Sequence, residues 1–214
     1  MKVNKGVVVE ISGVDGAGKT SLIDGLTDRL AAQGQPVTRL KLSLFGNPAY
    51  NHYLGLVGKP YKEAPELINN FRGGLICLET LRFGQAEVAP ALAEGHIVLC
   101  DRYIESVQCL MESYGLSTQR FFEVAQLVPA ADVWFHLSLD DQQALERRRA
   151  LGERPGASES RRLELMSDRL VERTTERPCT VLDATRRQDE VANQAMESLL
   201  KHLGTLQPGG SNEL

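Results

Sequence analysis

The sequence predicts an α/β fold in which a parallel sheet carries helices on both faces. Short runs rich in β-branched residues alternate along the chain with longer segments whose apolar residues recur at helical spacing. The first run, Val7–Ser12, reads VVVEIS, and such a run is typical of a strand buried on both faces of a parallel sheet. A regular alternation of strands and helices favours a three-layer sandwich. Each helix packs on the sheet and brings the chain back to the edge at which the next parallel strand begins.

The predicted elements follow in the order that such a sheet requires. A helix follows the first strand and ends before Gly34. Glu66–Glu94 is predicted to be mostly helical, with a bend or interruption at Gly73-Gly74. Asp140-Asp141 is predicted to cap the helix that runs to about Ala150. The other strands are predicted at Val37–Leu44, His96–Cys100, Asp132–Leu139 and Thr180–Leu182, and the other helices at Tyr103–Ser113, at Thr118–Leu127, in the segment ending near Glu176 and at Asp189–Leu203.

Length, charge and cysteine spacing limit the classes of function. The 214 residues fit a single domain over 1–206, followed by a polar, glycine-rich stretch at 207–214 that we expect to be disordered. The net charge of −4 provides no overall basic field for a long nucleic acid. The four cysteines fit no metal or redox spacing, and no apolar run is long enough to cross a bilayer. We therefore expect a cytoplasmic protein with neither a nucleic-acid nor a membrane partner.

The strongest motif is a glycine-rich loop of the kind that holds nucleotide phosphates. Gly13–Thr20 reads GVDGAGKT, which matches the pattern GxxxxGK[ST] between a predicted strand and a predicted helix. Glycines let backbone N–H groups turn toward a phosphate without Cβ clashes, and the following helix points its positive end at the anion. The pattern assigns Lys19 to the β- and γ-phosphates and the Thr20 hydroxyl to Mg²⁺. The predicted ATP-binding residues are Gly13, Gly16, Ala17, Gly18, Lys19, Thr20 and Ser21.

A second polar cluster, Asp101-Arg102-Tyr103, directly follows the third predicted strand. Ligands bind beyond the carboxyl ends of parallel strands, so we expect this cluster to face the glycine-rich loop. A carboxylate there can hold Mg²⁺, and an arginine can neutralise charge on a phosphoryl group in transfer. We therefore predict catalytic roles for Lys19, Asp101 and Arg102, and metal contacts for Thr20 and Asp101.

Six arginines surround a loop that contains glycine and proline, and we predict a lid at about 148–162. A mobile loop of this composition can close over a bound nucleotide, exclude water and supply charge to the transition state. The alternative is a solvated basic helix end, which the helix dipole also favours. The arginines are Arg147, Arg148, Arg149, Arg154, Arg161 and Arg162.

Taken together, these motifs resemble the thymidylate kinase family from about Val7 to Leu200. GVDGAGKTS resembles the family's P-loop, ALAEGHIVLCDRYIES its strand and Asp-Arg-Tyr motif, and LERRRALGER its lid. The resemblance implies a P-loop NTPase-type three-layer sandwich, with a five-stranded parallel sheet, helices on both faces and an arginine-rich lid. It also implies ATP and Mg²⁺ as cofactors, a small-molecule nucleotide substrate, and the homodimer that the family often forms. The implied reaction is ATP-dependent phosphorylation of a nucleoside monophosphate, dTMP to dTDP.

The resemblance also assigns roles to residues at matching positions. Asp15 is expected to reach the sugar hydroxyl of the bound monophosphate, and Arg82, in LETLRFGQ, is expected to bind the monophosphate and its base. Ala17 and the lid are similar to the subclass that keeps its catalytic arginine in the lid, which points most strongly to Arg149 and Arg154, with Arg148 nearby. The DRYIES segment adds Arg102, Tyr103 and Ser106 as expected substrate contacts.

The half of the pattern that binds the acceptor departs from the family in three places. RLKLSLFGNP replaces the family's Arg-Glu-Pro-Gly motif, so that Lys41 or Arg39 would have to replace the arginine that holds the acceptor phosphate. Leu78 occupies the place where the family stacks a phenylalanine on thymine, which removes an aromatic platform. CLMESYG, with Tyr114, stands where the family has a Tyr-Gln pair. The acceptor therefore stays open between dTMP and another nucleoside monophosphate.

Two further functions stay open at this point. A nucleoside kinase phosphorylates a hydroxyl and benefits from a carboxylate base, for which Glu10 and Glu105 are the candidates. A nucleotide-binding regulator without turnover is favoured by the altered acceptor motifs. The intact Lys19, Thr20 and Asp101 argue against that regulator.

Overall fold

A five-stranded parallel sheet forms the centre of the molecule. The computed structural model describes residues 6–42, 66–154 and 156–205, without the side chains of 66–70, 158 and 159. All the strand pairs are parallel, and the strand order is β2-β3-β1-β4-β5. The strands are β1 (Val7–Ser12), β2 (Val37–Lys41), β3 (Ile97–Asp101), β4 (Val133–Ser138) and β5 (Thr180–Asp183).

Helices connect the strands. The helices are α1 (Lys19–Ala32), α2 (Glu66–Phe83), α3 (Ala89–Ala93), α4 (Ile104–Ser113), α5 (Gln119–Ala125), α6 (Asp141–Ala150), α7 (Ala157–Glu176) and α8 (Gln188–Thr205). A π-helical turn, Gly84–Val88, joins α2 to α3. The predicted α/β class with a five-stranded parallel sheet is confirmed. The predicted tail at 207–214 lies outside the described residues, and the single domain over 1–206 stays a prediction.

Alternate side chains of β1 pack in two separate hydrophobic cores, one on each face of the sheet. Val7, Val9 and Ile11 pack with the apolar faces of α1 and α8. Val8 packs in the other cluster, which α2, α4, α5 and α7 cover. Because successive side chains of a strand point to opposite faces, a nearly continuous apolar strand of this kind is buried on both sides. The helices therefore lie on both faces, as the sequence predicts.

The sheet brings three chemically important strand ends to one edge. Ile11 of β1 lies opposite Asp101, the last residue of β3, and Lys41, the last residue of β2, lies opposite Asp101 on its other side. Since all the strands are parallel, their carboxyl ends share that edge, where ligands of such sheets bind. The glycine-rich loop leaves from the middle of this edge.

The predicted element boundaries need small corrections. β3 ends at Asp101 instead of Cys100, so Asp101 is held in the ladder itself. α2 continues through Gly73-Gly74 without interruption, and the irregularity lies at the π-helical turn instead. The predicted cap of α6 is confirmed, because Asp140 accepts hydrogen bonds from the backbone N–H groups of Gln142 (2.9 Å) and Gln143 (3.3 Å).

The π-helical turn depends on a close approach at Gly84. A Cβ atom there would overlap the side chain of Val128 and would lie 3.2 Å from the hydroxyl oxygen of Tyr103. Tyr103 is itself fully buried, with its ring 5.8 Å from that of Phe83 and its hydroxyl donating to the carbonyl of Pro129 (2.8 Å). The absence of a side chain at Gly84 therefore lets the turn lie directly against Val128, in the segment after α5.

A Gly84→Ala variant is expected to lose roughly 1–3 kcal/mol of unfolding free energy, because the added methyl overpacks a rigid site. Chemical denaturation of the purified protein measures the loss. Gly204→Ala, in α8, is the matched control, because nothing lies within 4 Å of the added Cβ. Equal stability of the two variants would contradict the close approach at Gly84.

Candidate active site

The glycine-rich loop takes a backbone shape that other residues would strain. Gly16 has φ of 92°, and a Cβ atom there would lie 2.8 Å from the carbonyl oxygen of Ala144. Only glycine adopts this conformation readily at such a contact. The loop then enters α1 at Lys19, so the unpaired N–H groups of the helix start face the space above the loop.

Lys19 is buried beneath the loop that it is predicted to serve. Its Nζ donates to the carbonyl oxygens of Gly13 (3.1 Å) and Val14 (3.0 Å), and it lies 3.5 Å from Oδ1 of Asp15. Burial and the positive charge of Arg102 lower the pKa of Lys19 to about 8. An anion at the loop would oppose both effects, so the site favours a phosphate electrostatically.

Arg102 connects the turn after β3 to the glycine-rich loop. It is the one non-glycine residue with positive φ (70°) in the described residues, and its N–H donates to the carbonyl of Ile11 (3.1 Å). Its Nη2 lies 2.6 Å from Oδ1 of Asp15 in the glycine-rich loop. Burial opposes ionisation of Asp15, but the charges of Arg102 and Lys19 prevail and lower its pKa to about 2. A strained backbone at such a position is typical of functional sites.

Asp101 has the environment of a cation ligand. Its side chain is buried, Lys41 Nζ lies 3.6 Å from its Oδ2, and no described residue donates a hydrogen bond to its Oδ1. A buried oxygen of this kind fits a cation or a water bound to one. Across the part of the chain that the structure describes, no group of three or more His, Cys, Asp or Glu could hold a metal. Mg²⁺ does not need such a cage, because it takes one or two protein ligands together with phosphates and waters.

One cleft of about 1300 Å³ runs along the carboxyl edge of the sheet and contains most of these groups. Lys41 and Leu42 line it on the β2 side, and Ala184 and Gln188 line it on the β5 side. The glycine-rich loop lies between them because β1 is the central strand. The predicted site residues on its walls are Asp15, Gly16, Ala17, Gly18, Lys19, Thr20, Ser21, Lys41, Asp101 and Arg102.

Three of the six arginines of the predicted lid segment line the cleft, and the two to which the resemblance points most strongly, Arg149 and Arg154, are not among them, so their catalytic roles stay predictions. Arg147, Arg148 and Arg162 line it, whereas Arg149 and Arg154 are exposed and lie outside its walls. Arg148 is buried, and its guanidinium binds the carboxylate of Glu153 (Nε to Oε2, 2.8 Å). Each step along a helix rotates the side chain by about 100°, so consecutive arginines point in different directions. The motif alone does not show which of them faces the cleft.

Four residues predicted to touch the acceptor lie away from the cleft walls. Leu78 is 62% exposed on the outer side of α2, and Arg82 is exposed and paired with Glu79 (3.1 Å). Tyr103 lies in the core beside α2, and Ser106 is fully buried. The predicted substrate contacts of these four residues stay predictions, and in this conformation none of their side chains reaches the cleft.

The two candidate bases, Glu10 and Glu105, both bind other groups of the protein interior. Glu10 is fully buried and accepts hydrogen bonds from the N–H groups of Tyr103 (3.2 Å), Glu105 (3.1 Å) and Ser106 (2.8 Å), and from the Ser106 hydroxyl (2.8 Å). Glu105 is buried against Arg173 of α7 (2.7 Å). Neither carboxylate lies on the walls of the cleft, so neither is placed to remove a proton from a bound hydroxyl.

The structure brings Tyr114 and Arg72, which had no assigned role, together with the lid arginine Arg162. Tyr114 and Arg162 line the cleft, and the guanidinium of Arg162 lies 5.0 Å from the centroid of the Tyr114 ring. The buried Arg72 approaches the same ring at 4.7 Å. No sequence pattern singles out Arg72, because the buried stripe of α2 contains the polar Thr80 and its exposed side carries Phe71 and Leu78.

A buried polar network lies beneath the glycine-rich loop. Ser12, the last residue of β1, lies 3.1 Å from Nδ1 of His136 and accepts a hydrogen bond from the indole of Trp134 (2.8 Å). Burial and the charge of Lys19 lower the pKa of His136 to about 4. The neutral imidazole therefore adds no positive charge beneath Lys19 at pH 7.

Comparison with known proteins identifies the family. The thymidylate kinase family model matches residues 11–195. The chain belongs to the thymidylate kinase family. A thymidylate kinase of Xanthomonas oryzae pv. oryzae is 32% identical over 155 residues, which are 72% of this chain and 66% of the relative. A probable thymidylate kinase of Staphylothermus marinus is 25% identical over 209 residues, which are 95% of this chain and 99% of the relative.

The match to the thymidylate kinase family covers the glycine-rich loop, the Asp101-Arg102-Tyr103 turn and the arginine-rich segment in one stretch. The matched segment spans 66% of the Xanthomonas oryzae relative and almost all of the Staphylothermus marinus one. No described helix is long and apolar enough to cross a membrane.

The stability of the protein should fall in acid partly through His136. The pKa of His136 is about 4 in the folded protein, below the ordinary histidine value of 6.5, so the unfolded chain takes up a proton first as the pH falls. His136 should therefore remove on the order of 2–3 kcal/mol of stability between about pH 6.5 and pH 4.

Urea unfolding at pH 7.0 and pH 4.5 measures this loss. A His136→Gln variant cannot take up that proton and should lose less stability between the two pH values than the wild type. The same loss in both proteins would show that His136 does not contribute.

Proposed function

We propose that this chain transfers the γ-phosphoryl group of ATP to a nucleoside monophosphate, with dTMP as the acceptor and dTDP as the product. The observation that carries the proposal is the 2.6 Å ion pair between Asp15 and Arg102. It brings the phosphate-binding loop and the turn after β3 together over one cleft, with room on both sides of the loop for a nucleotide. Family membership supports the same reaction, since the relatives named above are thymidylate kinases.

The residues of the cleft would act mainly by placing charge. ATP phosphates bound by the loop would draw Lys19 away from the carbonyl oxygens of Gly13 and Val14, to which it now donates. Arg102 lies at the junction of the two halves, where negative charge moves from donor to acceptor. The attacking oxygen belongs to a phosphate and is already anionic, so the reaction needs positioning and charge stabilisation instead of a carboxylate base.

Thr20 and Asp101 are the residues that would hold Mg²⁺, because both line the cleft and the buried Oδ1 of Asp101 receives no hydrogen bond from the described residues. The cation would supply neutralisation of the β- and γ-phosphate charge. Lys41, 3.6 Å from the same carboxylate, is placed to contact the acceptor phosphate in place of the family's arginine. Its side chain is largely exposed, so it is able to turn toward that phosphate.

The homodimer that the family resemblance implies stays a prediction. Four large apolar side chains are exposed on or beside α2 and α5, two helices that pack together. These side chains are Phe71, Leu78, Phe122 and Leu127. A face of this kind is compatible with a subunit contact.

The activity is tested by measuring ADP release from ATP and Mg²⁺ with dTMP, other nucleoside monophosphates and free nucleosides. We expect turnover with dTMP and none with thymidine. Lys19→Ala should reduce kcat by at least roughly 100-fold, because a cation on the transferring phosphate is lost.

A Glu10→Gln variant separates this proposal from a nucleoside kinase. It should lose stability but keep much of its turnover, because Glu10 binds the start of α4 and not the acceptor. Fast turnover on thymidine that Glu10→Gln abolishes would establish the nucleoside kinase instead. ATP binding without release of ADP on any acceptor would leave only a nucleotide-binding role.

Arg148 is the lid arginine that we propose to act on the transition state, since it is buried at the cleft and lies next to Gly16. Arg148→Ala should lower kcat roughly 100-fold or more, with little change in the KM for ATP. Arg149→Ala is the matched control and should stay within about threefold of the wild type, because its exposed side chain lies outside the cleft walls. A larger loss for Arg149→Ala would restore the assignment made from the sequence.

A further inference from the structure

A buried serine lies directly beneath the start of the glycine-rich loop. Ser12 is the last residue of β1 and is fully buried. Its hydroxyl oxygen lies 2.8 Å from the indole nitrogen of Trp134, 3.1 Å from Nδ1 of His136 and 3.3 Å from the carbonyl oxygen of Phe135. All three groups belong to β4, so one hydroxyl joins the end of β1 to three consecutive residues of the neighbouring strand.

The hydrogen bonds of this network have a direction. The indole N–H of Trp134 donates and cannot accept, so the oxygen of Ser12 accepts from it. The hydroxyl proton is then available to Nδ1 of His136, which accepts it when the proton of the neutral ring is on Nε2. Nδ1 is also closer to the hydroxyl oxygen than the carbonyl oxygen of Phe135 is. The hydrogen bonds therefore run from Trp134 through Ser12 to His136.

The residue after Ser12 begins the loop and packs closely on β4. Gly13 has φ of 143°, and a Cβ atom there would lie 2.9 Å from the carbonyl oxygen of Leu137. The loop thus leaves the sheet one residue beyond Ser12 and His136, which are the last pair in the register of β1 and β4. The carbonyl of Gly13 in turn accepts a hydrogen bond from Nζ of Lys19 (3.1 Å). A shift of Ser12 against β4 would therefore move both the loop and the contact of Lys19.

The network fixes the strand end without adding charge beneath the loop. Burial and the charge of Lys19 lower the pKa of His136 to about 4, so the imidazole is neutral at pH 7. A carboxylate in this place would pair with Lys19 and compete with a phosphate, and a second cation would repel Lys19. A neutral anchor leaves the ammonium group of Lys19 available to a bound anion.

We propose that Ser12, Trp134 and His136 are positioning residues for ATP, which hold the glycine-rich loop in the conformation that binds the phosphates. The inference rests on the ATP binding proposed above. None of these three side chains lies on the walls of the cleft, so they would act through Gly13 and Lys19 and not by contact with the nucleotide. When only a fraction of the molecules has a competent loop, the apparent affinity for the ligand falls by that fraction. Loss of the network should therefore weaken ATP binding and leave acceptor binding unchanged.

Calorimetric titration with ATP and Mg²⁺, and separately with dTMP, tests the proposal. Ser12→Ala removes the hydroxyl that Trp134 and His136 share. We expect its ATP affinity to fall about tenfold, because buried polar groups that lose their partner favour other arrangements of the loop, with dTMP affinity within about twofold of the wild type. In turnover assays the KM for ATP should rise by a similar factor, while kcat at saturating ATP falls less than about threefold.

A pair of substitutions at His136 separates the hydrogen bond from packing. The amide oxygen of an asparagine side chain can accept a hydrogen bond near the place of Nδ1, whereas leucine has no polar atom to offer. His136→Asn should therefore keep ATP affinity within about threefold of the wild type, and His136→Leu should lose about tenfold.

Ser198→Ala is the matched control for the loss of a hydroxyl. Ser198 of α8 shares a hydrogen bond with Thr180 of β5 (3.0 Å), and neither residue lies on the walls of the cleft. This variant also loses a hydroxyl contact with a neighbouring strand, but it should bind ATP as the wild type does. Urea unfolding of each variant shows that it is folded under the conditions of the titration.

Three results would overturn the inference: Ser12→Ala and His136→Leu binding ATP within about twofold of the wild type, equal losses of ATP and dTMP affinity, or equal losses in His136→Asn and His136→Leu. A wild type that does not bind ATP would also overturn it. Failure of the proposed phosphoryl transfer has a different signature, namely a wild type that binds ATP but releases no ADP with any monophosphate. The role of the network is decided in that case too, because it is measured by ATP binding.

Discussion

The carboxylate of Glu10 is the constraint on which the arrangement of the cleft depends. It leaves β1 on the side of the sheet that α4 covers and accepts hydrogen bonds from the first turn of that helix. Burial raises the pKa of Glu10, while the donors of the helix start oppose this effect. The strand that carries the glycine-rich loop is thereby fixed to the turn that carries Arg102. Glu105, beside Glu10, extends the link to Arg173 of α7, so the helix that bears Arg162 is held to the same point.

With that frame fixed, the free cleft holds more positive charge than its carboxylates balance. Lys19 and Arg102 share the single carboxylate of Asp15, and the arrangement depresses the pKa of Lys19 while it keeps Asp15 ionised. A bound phosphate would relieve the repulsion between the two cations. The charges are set before the ligand arrives, which is how an enzyme stabilises a transition state without reorganising at the moment of reaction. The neutral His136 below adds no competing cation.

The features that were predicted correctly from the sequence are those that short segments of the chain determine. The glycine-rich loop, the cap at Asp140 and the positions of all five strands follow from short patterns whose physical causes lie within a few residues. The face of α2 was not encoded in that way, because apolar residues occur around most of the helix and no polar stripe marks the exposed side. The π-helical turn adds one further residue of rotation, which no local pattern signals. Leu78 and Arg82 lie outside the cleft walls in this structure, and their predicted substrate contacts stay predictions.

The same reasoning explains why the residues of the glycine-rich loop were easier to predict than those on the acceptor side of the cleft. In glycine-rich loops of this kind backbone N–H groups bind phosphates, so a sequence that keeps the function must keep the glycines and the lysine, here Lys19. The walls of the cleft beside α4 and α7 are formed by side chains from separate elements, and several combinations of residues can form one shape. Arg72 and Tyr114 are more than forty positions apart in the chain, and only the packing of α2 and α4 against β3 brings them together. The shape of this side of the cleft thus depends on tertiary packing, whereas the glycine-rich loop is encoded in a short segment that stays recognisable when the residues around it change.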